Sequence, residues 1–274
     1  MGNFLLWTMW FIIGGFGYVN GVVHLDSECV RAQNSTIDTI YKANLRTVLD
    51  FVAKNAPLQG GFSNASVGNG TNRVHGLGWC RADVSPTACF DCLNKSISIP
   101  LRECPESKWF ATSSSLCSLR FSNESFFGEV WSHSSSSSYG SKGLDDPLVF
   151  SRGFVMMEML GNSVPNQPMM FQTSVTDVEK NRERYGLGQC SPDVSRSDCR
   201  KCLEELLVTY KPYVMNQTKW EMLGVSCGMW YDDVRFYGNS SSLTPAPNAS
   251  GGEGLNQRHV IFTFVAFLVL QWIA

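Results

Sequence analysis

Gly76–Ser85 reads GLGWCRADVS, and the pattern returns 110 positions later as GLGQCSPDVS at Gly186–Ser195. Eight of the ten cysteines belong to a repeated spacing, with gaps of eight, two and twenty-four residues in each copy. They are Cys80, Cys89, Cys92 and Cys117 in the first copy, and Cys190, Cys199, Cys202 and Cys227 in the second. Because a disulfide tolerates only a narrow range of Cα separations, copied spacing indicates copied geometry. The sequence therefore predicts a tandem repeat of one disulfide-stapled domain.

The other two cysteines, Cys29 and Cys104, have no counterparts in the second repeat. The repeat offset carries Cys104 to Val214 and carries Cys29 to the neighbourhood of Tyr139. Two cysteines that are absent together are most simply two that bond each other, which predicts the pair Cys29–Cys104. The remaining four in each copy allow three connectivities, and their spacing does not choose among them. With one disulfide fewer, the second repeat is expected to be the less stable unless it packs on the first.

The first residues of the chain have the pattern of a secretory signal. An apolar run extends from Phe4 to Phe16, which is too short to span a bilayer, and small residues follow it. We expect residues 1–21 to be a signal peptide and the mature chain to begin near Val22. An oxidising compartment, which disulfides require, agrees with this route.

The last residues predict a glycolipid (GPI) anchor. Residues 238–258 are a linker with the attachment region, and residues 259–274 are an apolar tail without a basic anchor. Asn248 is the expected attachment residue, with Ser250 as the alternative. The competing interpretation is a transmembrane helix, but the fifteen residues from Val260 cover only roughly 22 Å of a hydrocarbon core about 30 Å thick.

Asn-x-Ser/Thr sequons are frequent, and in a secreted chain each is a candidate glycan site that must lie at the surface. Eight occur, and the last of them overlaps the proposed anchor site at Asn248. The candidate glycosylation sites are the other seven: Asn34, Asn64, Asn69, Asn94, Asn123, Asn216 and Asn239.

We expect two α+β domains, at residues 22–132 and 143–237, joined by a serine-rich linker at residues 133–142. Apolar residues recur at helical spacing before Pro57. They are Ile37, Tyr41, Leu45, Val48, Leu49 and Val52. A second helix should begin after Ser85, with Ser195 as its counterpart. Residues 108–121 and 219–236 have the aromatic and β-branched content of strand pairs. Each domain should therefore place its helices on one face of a small antiparallel sheet.

Catalysis is not supported by the residues. Only four histidines occur, and the repeat counterpart of His75 is Tyr185, whereas His133 lies in the serine-rich segment. A general base would not be expected to alternate with tyrosine. The two Cys-x-x-Cys pairs, at Cys89 and Cys199, lack the βαβ context of a redox motif and the paired knuckles of a zinc site. We expect a non-enzyme without cofactor or metal. A net charge of −2 without a basic stripe disfavours nucleic acid as a partner.

Five tryptophans could stack on sugar rings, although packing is the more common role of aromatic side chains in small domains. They are Trp79, Trp109, Trp131, Trp220 and Trp230. Trp230, with Asp232 close after it, is the best exposed candidate for ligand contact.

The cysteine pattern, together with the preceding Gly-Leu motif and CSLRF at residues 117–121, resembles the plant cysteine-rich stress-antifungal domain. That domain occurs in ginkbilobin, in ectodomains of cysteine-rich receptor-like kinases and in cysteine-rich repeat secretory proteins, and plasmodesmata-located proteins are similar. The resemblance implies two helices on a five-stranded antiparallel sheet in each repeat. It also implies five disulfides: Cys29–Cys104, Cys80–Cys89, Cys92–Cys117, Cys190–Cys199 and Cys202–Cys227.

Ginkbilobin binds mannose through an Asn, an Arg and a Glu, and the resemblance assigns these positions here. The first repeat has Val30, Ala111 and Ser122 in their place, and the second has Glu221 and Asp232 at the Arg and Glu positions. We therefore expect no detectable binding of mannose.

The resemblance favours a GPI-anchored apoplastic module that binds a cell-wall carbohydrate or a receptor ectodomain in stress or defence signalling. The alternatives are an antifungal mannose-type lectin and a plasmodesmata-located membrane protein.

Overall fold

The computed structural model describes Cys29 and residues 37–140, 143, 146–179 and 182–238. The first repeat contains α1 (Thr39–Asn55), β1 (Phe62–Val67), β2 (Val74–Cys80), α2 (Pro86–Glu103), β3 (Trp109–Ser113) and β4 (Cys117–Ser122). The second contains β5 (Ser135–Tyr139), α3 (Pro147–Ser163), β6 (Phe171–Glu179), β7 (Arg182–Cys190), α4 (Arg196–Val214), β8 (Trp220–Gly224) and β9 (Cys227–Asp232). The predicted α+β class and the repeated architecture are confirmed.

Both sheets are antiparallel and share one topology. The first has the order β1-β2-β4-β3, and the second has the order β5-β8-β9-β7-β6. The second sheet has the expected five strands. The first has four in the described part of the chain, and the residues that the repeat offset matches to β5, at positions 25–29, lie outside that part except for Cys29.

The serine-rich segment at residues 133–142 is not purely a linker, which corrects that prediction. Residues 135–139 form β5, which pairs with β8 from Ser135↔Gly224 to Tyr139↔Trp220. Side-chain hydrogen bonds add to this pairing, since Ser138 Oγ donates to Glu221 Oε1 at 3.0 Å. Backbone pairing and these contacts outweigh the turn preference expected of a serine run.

The helices begin where the sequence predicted. Ser85 Oγ accepts from the Ala88 backbone N–H at 3.2 Å, and Ser195 Oγ accepts from that of Asp198 at 3.1 Å. These are N-caps, which satisfy N–H groups that have no partner inside the helix. Each capped helix carries two disulfide cysteines on its buried face.

The five disulfides have the expected connectivity. Cys80–Cys89 and Cys92–Cys117 connect α2 to β2 and β4, and Cys190–Cys199 and Cys202–Cys227 make the same connections from α4. Cys29–Cys104 ties the start of the described chain to the end of α2, across 75 positions of sequence.

The repeated Gly-Leu-Gly motif allows α1 and α3 to approach the sheets closely. A Cβ on Gly76 would lie 2.1 Å from Val48 Cγ1, and one on Gly186 would lie 2.5 Å from Met157 Sδ. Because side chains alternate across a strand, Leu77 and Leu187 project from the opposite faces of the sheets. Those faces therefore remain free to pack on something other than helices.

The two sheets pack against each other on these opposite faces, with the helices outside. Leu77 and Trp79 of the first sheet form one buried cluster with Phe171, Leu187 and Trp230 of the second. Hydrogen bonds cross the interface as well. Trp79 Nε1 donates to the Val225 carbonyl at 2.8 Å. Gln189, the repeat counterpart of Trp79, makes the reciprocal contact, since its Nε2 donates to the Cys80 carbonyl of the first repeat at 3.1 Å.

Candidate functional site

Trp230 is buried, so the prediction that it is the exposed tryptophan is wrong. Only 5% of it is accessible, because β9 faces the first repeat and the Arg81 guanidinium lies 5.3 Å from the indole centroid. Gly228 leaves room for the ring, since a Cβ there would lie 2.5 Å from Trp230 Cη2. The Nε1 atom of Trp230 is buried and has no hydrogen-bond partner among the described residues.

Asp232 is also buried, with 6% accessibility, and it is paired. Its Oδ2 lies 2.9 Å from Lys219 Nζ, and its Oδ1 accepts from the Val234 backbone N–H at 3.0 Å. Lys219 itself is largely exposed at the rim. The carboxylate is therefore fixed in position, and its charge is balanced by the exposed Lys219 ammonium group.

Trp230 and Asp232 line one groove of about 490 Å³ between β5, β8 and β9, which we call the second-repeat groove. The first repeat closes one side of it with Arg81, Ser115 and Leu116. Glu221 projects into the same region, where Oε1 accepts from Ser115 Oγ at 2.8 Å and from Ser138 Oγ at 3.0 Å. The groove is thus built from both repeats.

Arg81 is held rigidly in the wall of this groove. Its Nε and Nη2 donate to the two carboxylate oxygens of Asp83 at 2.6 and 3.1 Å, and both side chains are about nine-tenths buried. Nη1 donates to the Ser115 carbonyl at 3.3 Å. A two-point Arg–carboxylate pair fixes the orientation of the guanidinium as well as its charge. No pattern in the sequence linked Arg81 to the second repeat, which is why sequence reasoning missed it.

Buried aromatic side chains support the wall of the second-repeat groove. Trp220 stacks on Tyr231 with ring centroids 5.0 Å apart, and burial raises the pKa of Tyr231 to about 12. Tyr139 is 56% exposed, but it pairs with Trp220 and so lies on the sheet face opposite that of Glu221. The partly exposed ring of Phe236, whose centroid is 5.4 Å from the Arg81 guanidinium carbon, also lines the groove. The groove combines a partly exposed ring, fixed carboxylates, hydroxyls and paired cations.

The first repeat has a related groove of about 490 Å³, which we call the first-repeat groove. It is lined by Trp109, Arg120, Phe121, Ser122, Trp131 and His133. Ala111 is buried against Trp131 and Val225, and Ser122 reaches the groove surface. Val30, which stands at the Asn position of the ginkbilobin mannose site, lies outside the described residues.

The remaining tryptophans are mainly packing residues. Trp79 and Trp220 are each 2% exposed, and Trp131 is 9% exposed. Trp109 is partly exposed and lies with its centroid 5.4 Å from that of Trp131. Of the five, Trp109 therefore offers the most surface to a ligand.

His75 and His133 differ in their surroundings. His75 is buried, its Nδ1 lies 2.7 Å from Ser66 Oγ, and burial lowers its pKa. His133 is exposed and contacts Trp131 with centroids 4.9 Å apart. Within the described ranges, no group of three or more His, Cys, Asp or Glu side chains is placed to hold a metal ion.

The predicted glycan sites differ in how exposed their asparagines are. Asn69, Asn94 and Asn216 are exposed, whereas Asn64 and Asn123 are partly exposed. Asn34, Asn239, Asn248 and Ser250 lie outside the described residues, as do the predicted signal peptide and tail. None of the helices in the part of the chain that is described is long and apolar enough to cross a membrane.

The chain matches solved structures in fold. The tandem DUF26 ectodomain of the Arabidopsis thaliana cysteine-rich receptor-like protein PDLP8 superposes with a TM-score of 0.61 at 22% identity, covering 77% of this chain and 98% of that one. The PDLP5 ectodomain gives a TM-score of 0.59 at 20% identity, with 76% and 98% covered. Two packed repeats of this kind are therefore the tandem DUF26 fold.

Sequence comparisons identify relatives of several kinds. The chain is 29% identical to cysteine-rich receptor-like protein kinase 8 of Arabidopsis thaliana over 82% of its own length, but it spans only about a third (34%) of that kinase. It is 27% identical to an antimicrobial ginkbilobin-2-like protein of Castanea crenata, covering 74% of this chain and 85% of that protein. It is 30% identical to putative cysteine-rich repeat secretory protein 5 of Arabidopsis thaliana, covering 64% and 69%.

The family model for salt stress response/antifungal proteins matches this chain twice. The matched segments are residues 28–124 and 151–234, which contain both sets of repeated cysteines. The chain therefore belongs to the salt stress response/antifungal (stress-antifungal, DUF26) family of secreted, cysteine-rich extracellular proteins, with two copies of its domain.

Proposed function

We propose that this protein is a non-enzymatic binding module of the apoplast, acting at the outer face of the plasma membrane in stress or defence signalling. The observation that carries the proposal is the second-repeat groove, in which Glu221 and Asp232 are held by hydrogen bonds and an ion pair and which the partly exposed ring of Phe236 also lines. Pockets of a few hundred Å³ with a small number of fixed polar groups are typical binding sites. Family membership supports an extracellular role.

The chemistry of the second-repeat groove favours a cell-wall carbohydrate as the ligand. Sugar hydroxyls can donate to the Glu221 carboxylate and accept from serine hydroxyls, and a pyranose ring can lie against Phe236, which lines the same groove. Cations and anions are both present and paired, so an uncharged ligand need not displace a strong ion pair. Recognition of this kind requires no cofactor.

A receptor ectodomain is the second candidate ligand, and a different surface supports it. Leu148, Val155 and Met159 lie along one exposed face of α3 and are 66%, 48% and 67% accessible. Protein partners usually cover about 800 Å² on each side, which is more than the groove provides. The antifungal lectin is an alternative suggested by a relative whose name includes antimicrobial activity, and the plasmodesmata-located membrane protein is the other alternative.

Glu221→Ala is expected to weaken carbohydrate binding by about tenfold or more, because hydrogen bonds to a charged group contribute roughly 1.5–3 kcal/mol each. The protein comprising residues 22–247 would be screened on an array of plant and fungal wall oligosaccharides, and the best ligand would be titrated by calorimetry. Glu204→Ala removes an exposed carboxylate from α4 and should leave the affinity unchanged.

Mannose and mannobiose are included in that screen as expected non-ligands. Saturable binding of either below about 1 mM, abolished by Asp232→Ala, would favour the antifungal lectin instead. If no glycan binds, or if Glu221→Ala binds as tightly as the unmodified protein, the groove is not a carbohydrate site.

We further propose that the mature protein is held at the membrane by a glycolipid attached at Asn248 or, alternatively, at Ser250. The support is the composition of residues 238–274, where small residues precede a polar spacer and an apolar tail of fifteen residues. Phosphatidylinositol-specific phospholipase C is expected to release the protein from plant membranes into the aqueous phase. If the protein stays bound and a peptide containing Trp272 is found by mass spectrometry, the tail is a transmembrane segment.

A further inference from the structure

Arg120 is a partly buried cation enclosed by aromatic rings. It lies in the middle of β4, paired with Leu77 on one side and Ala111 on the other. Its guanidinium carbon is 4.0 Å from the Phe126 centroid and 4.7 Å from that of Trp131. Stacking of this kind suits the planar guanidinium, but it leaves the charge without a counter-ion.

The hydrogen bonds of Arg120 are incomplete. Nη1 donates to the Glu129 carbonyl at 3.3 Å, whereas Nε is buried without a partner among the described residues. In that part of the chain Arg120 makes no ion pair within 4.0 Å, although the charges of Glu129 and Asp193 act on it from farther away. Burial lowers the pKa of Arg120 to about 10.

Arg81 provides the contrast within the same molecule. Arg81 also stacks on aromatic rings, but two oxygens of Asp83 neutralise its charge at 2.6 and 3.1 Å. A desolvated cation without such a partner is unfavourable, and an anionic ligand can take the place of the missing carboxylate.

The first-repeat groove opens onto Arg120, and its described lining contains no carboxylate. Its other side chains are aromatic or neutral hydroxyl groups, apart from His133. We propose that this groove binds a carboxylated sugar, a uronic acid residue of an acidic polysaccharide. Arg120 pairs with the carboxylate, and the pyranose ring stacks on the partly exposed face of Trp109.

This proposal concerns a site and a ligand charge that differ from those of the second-repeat groove. There, Glu221 and Asp232 would repel a polyanion, whereas in the first repeat Ala111 and Ser122 stand at the corresponding positions. The repeats thus present a cationic aromatic groove and a mixed-charge groove on one molecule.

The test uses a homogeneous oligogalacturonide, its fully methyl-esterified form and benzoate, each titrated by calorimetry into the protein comprising residues 22–247. The ester keeps the ring and removes the charge. We expect saturable binding of the oligogalacturonide but not of its ester. The Arg120→Gln variant should bind the oligogalacturonide about tenfold to a hundredfold more weakly. Arg120→Lys should recover part of the affinity, because it restores the charge without the planar fork.

Arg196→Gln is the matched control, since it removes one exposed cation from α4 and should bind the acid as the unmodified protein does. Trp109→Ala gives an independent variant if Arg120→Gln does not fold, and it should also weaken binding. Equal binding of acid and ester, unchanged binding by Arg120→Gln, a preference for benzoate, or the absence of binding would each overturn the proposal. The carbohydrate proposed for the second-repeat groove is tested separately with the Glu221→Ala variant.

Discussion

Replacing Cys29 and Cys104 together by alanine is expected to lower the free energy of unfolding by about 4.5 kcal/mol. This disulfide closes the longest loop of the five described, with a sequence separation of 75 between its cysteines. A crosslink stabilises a protein mainly by restricting the unfolded chain, and that restriction grows with loop length. Urea unfolding of the oxidised proteins, followed by circular dichroism, measures the difference.

Cys80→Ala with Cys89→Ala is the matched comparison, because that bond closes a loop with a separation of only 9. The same relation gives a loss of about 2.6 kcal/mol for the shorter loop. A larger loss from the short-loop pair than from Cys29–Cys104 would contradict the explanation through chain entropy. It would instead assign the stabilisation to contacts that each disulfide makes in the folded state.

The elements within one repeat were predictable because the same helix caps and cysteine gaps occur in both copies. Ser85 and Ser195 cap equivalent helices, and each cysteine gap recurs without change. The joint absence of counterparts for Cys29 and Cys104 identified that pair from sequence alone. The connectivity of the other eight cysteines required the family resemblance, since spacing permits three arrangements in each copy.

The packing of one sheet on the other was not predictable from the sequence. A strand such as β2 alternates between glycines that face the helix and large apolar residues that face away, but this pattern does not say what covers the second face. Trp230 shows the consequence, because its neighbours Tyr231 and Asp232 suggested exposure. In the structure Arg81 of the other repeat covers its ring.

The candidate site was predictable only in part for the same reason. Asp232 and Glu221 were found through the family positions, and both line the second-repeat groove. Arg81 and Ser115 reach that groove only because the repeats pack together, and no periodicity links them to β8 or β9. Strand β5 was missed because serine favours turns, whereas edge pairing with β8 decides the conformation here.

Trp79→Ala is expected to uncouple the two repeats and to lower the free energy of unfolding by about 3–5 kcal/mol. Trp79 is 2% exposed in the cluster between the sheets, and its Nε1 makes the 2.8 Å hydrogen bond to Val225. With this contact removed, the second repeat, which has two disulfides against three, should unfold at the lower temperature. Scanning calorimetry should show two transitions where the unmodified protein shows one.

Trp79→Phe separates the apolar contact from the hydrogen bond. Phenylalanine retains most of the buried ring but leaves the Val225 carbonyl without its donor, which should cost about 1–3 kcal/mol and keep a single transition. Two transitions in the unmodified protein, or a single unshifted one in Trp79→Ala, would show that the sheets do not stabilise each other. Because the second-repeat groove includes Arg81 and Ser115, uncoupling should also abolish ligand binding at Glu221, while the first-repeat groove keeps its lining residues.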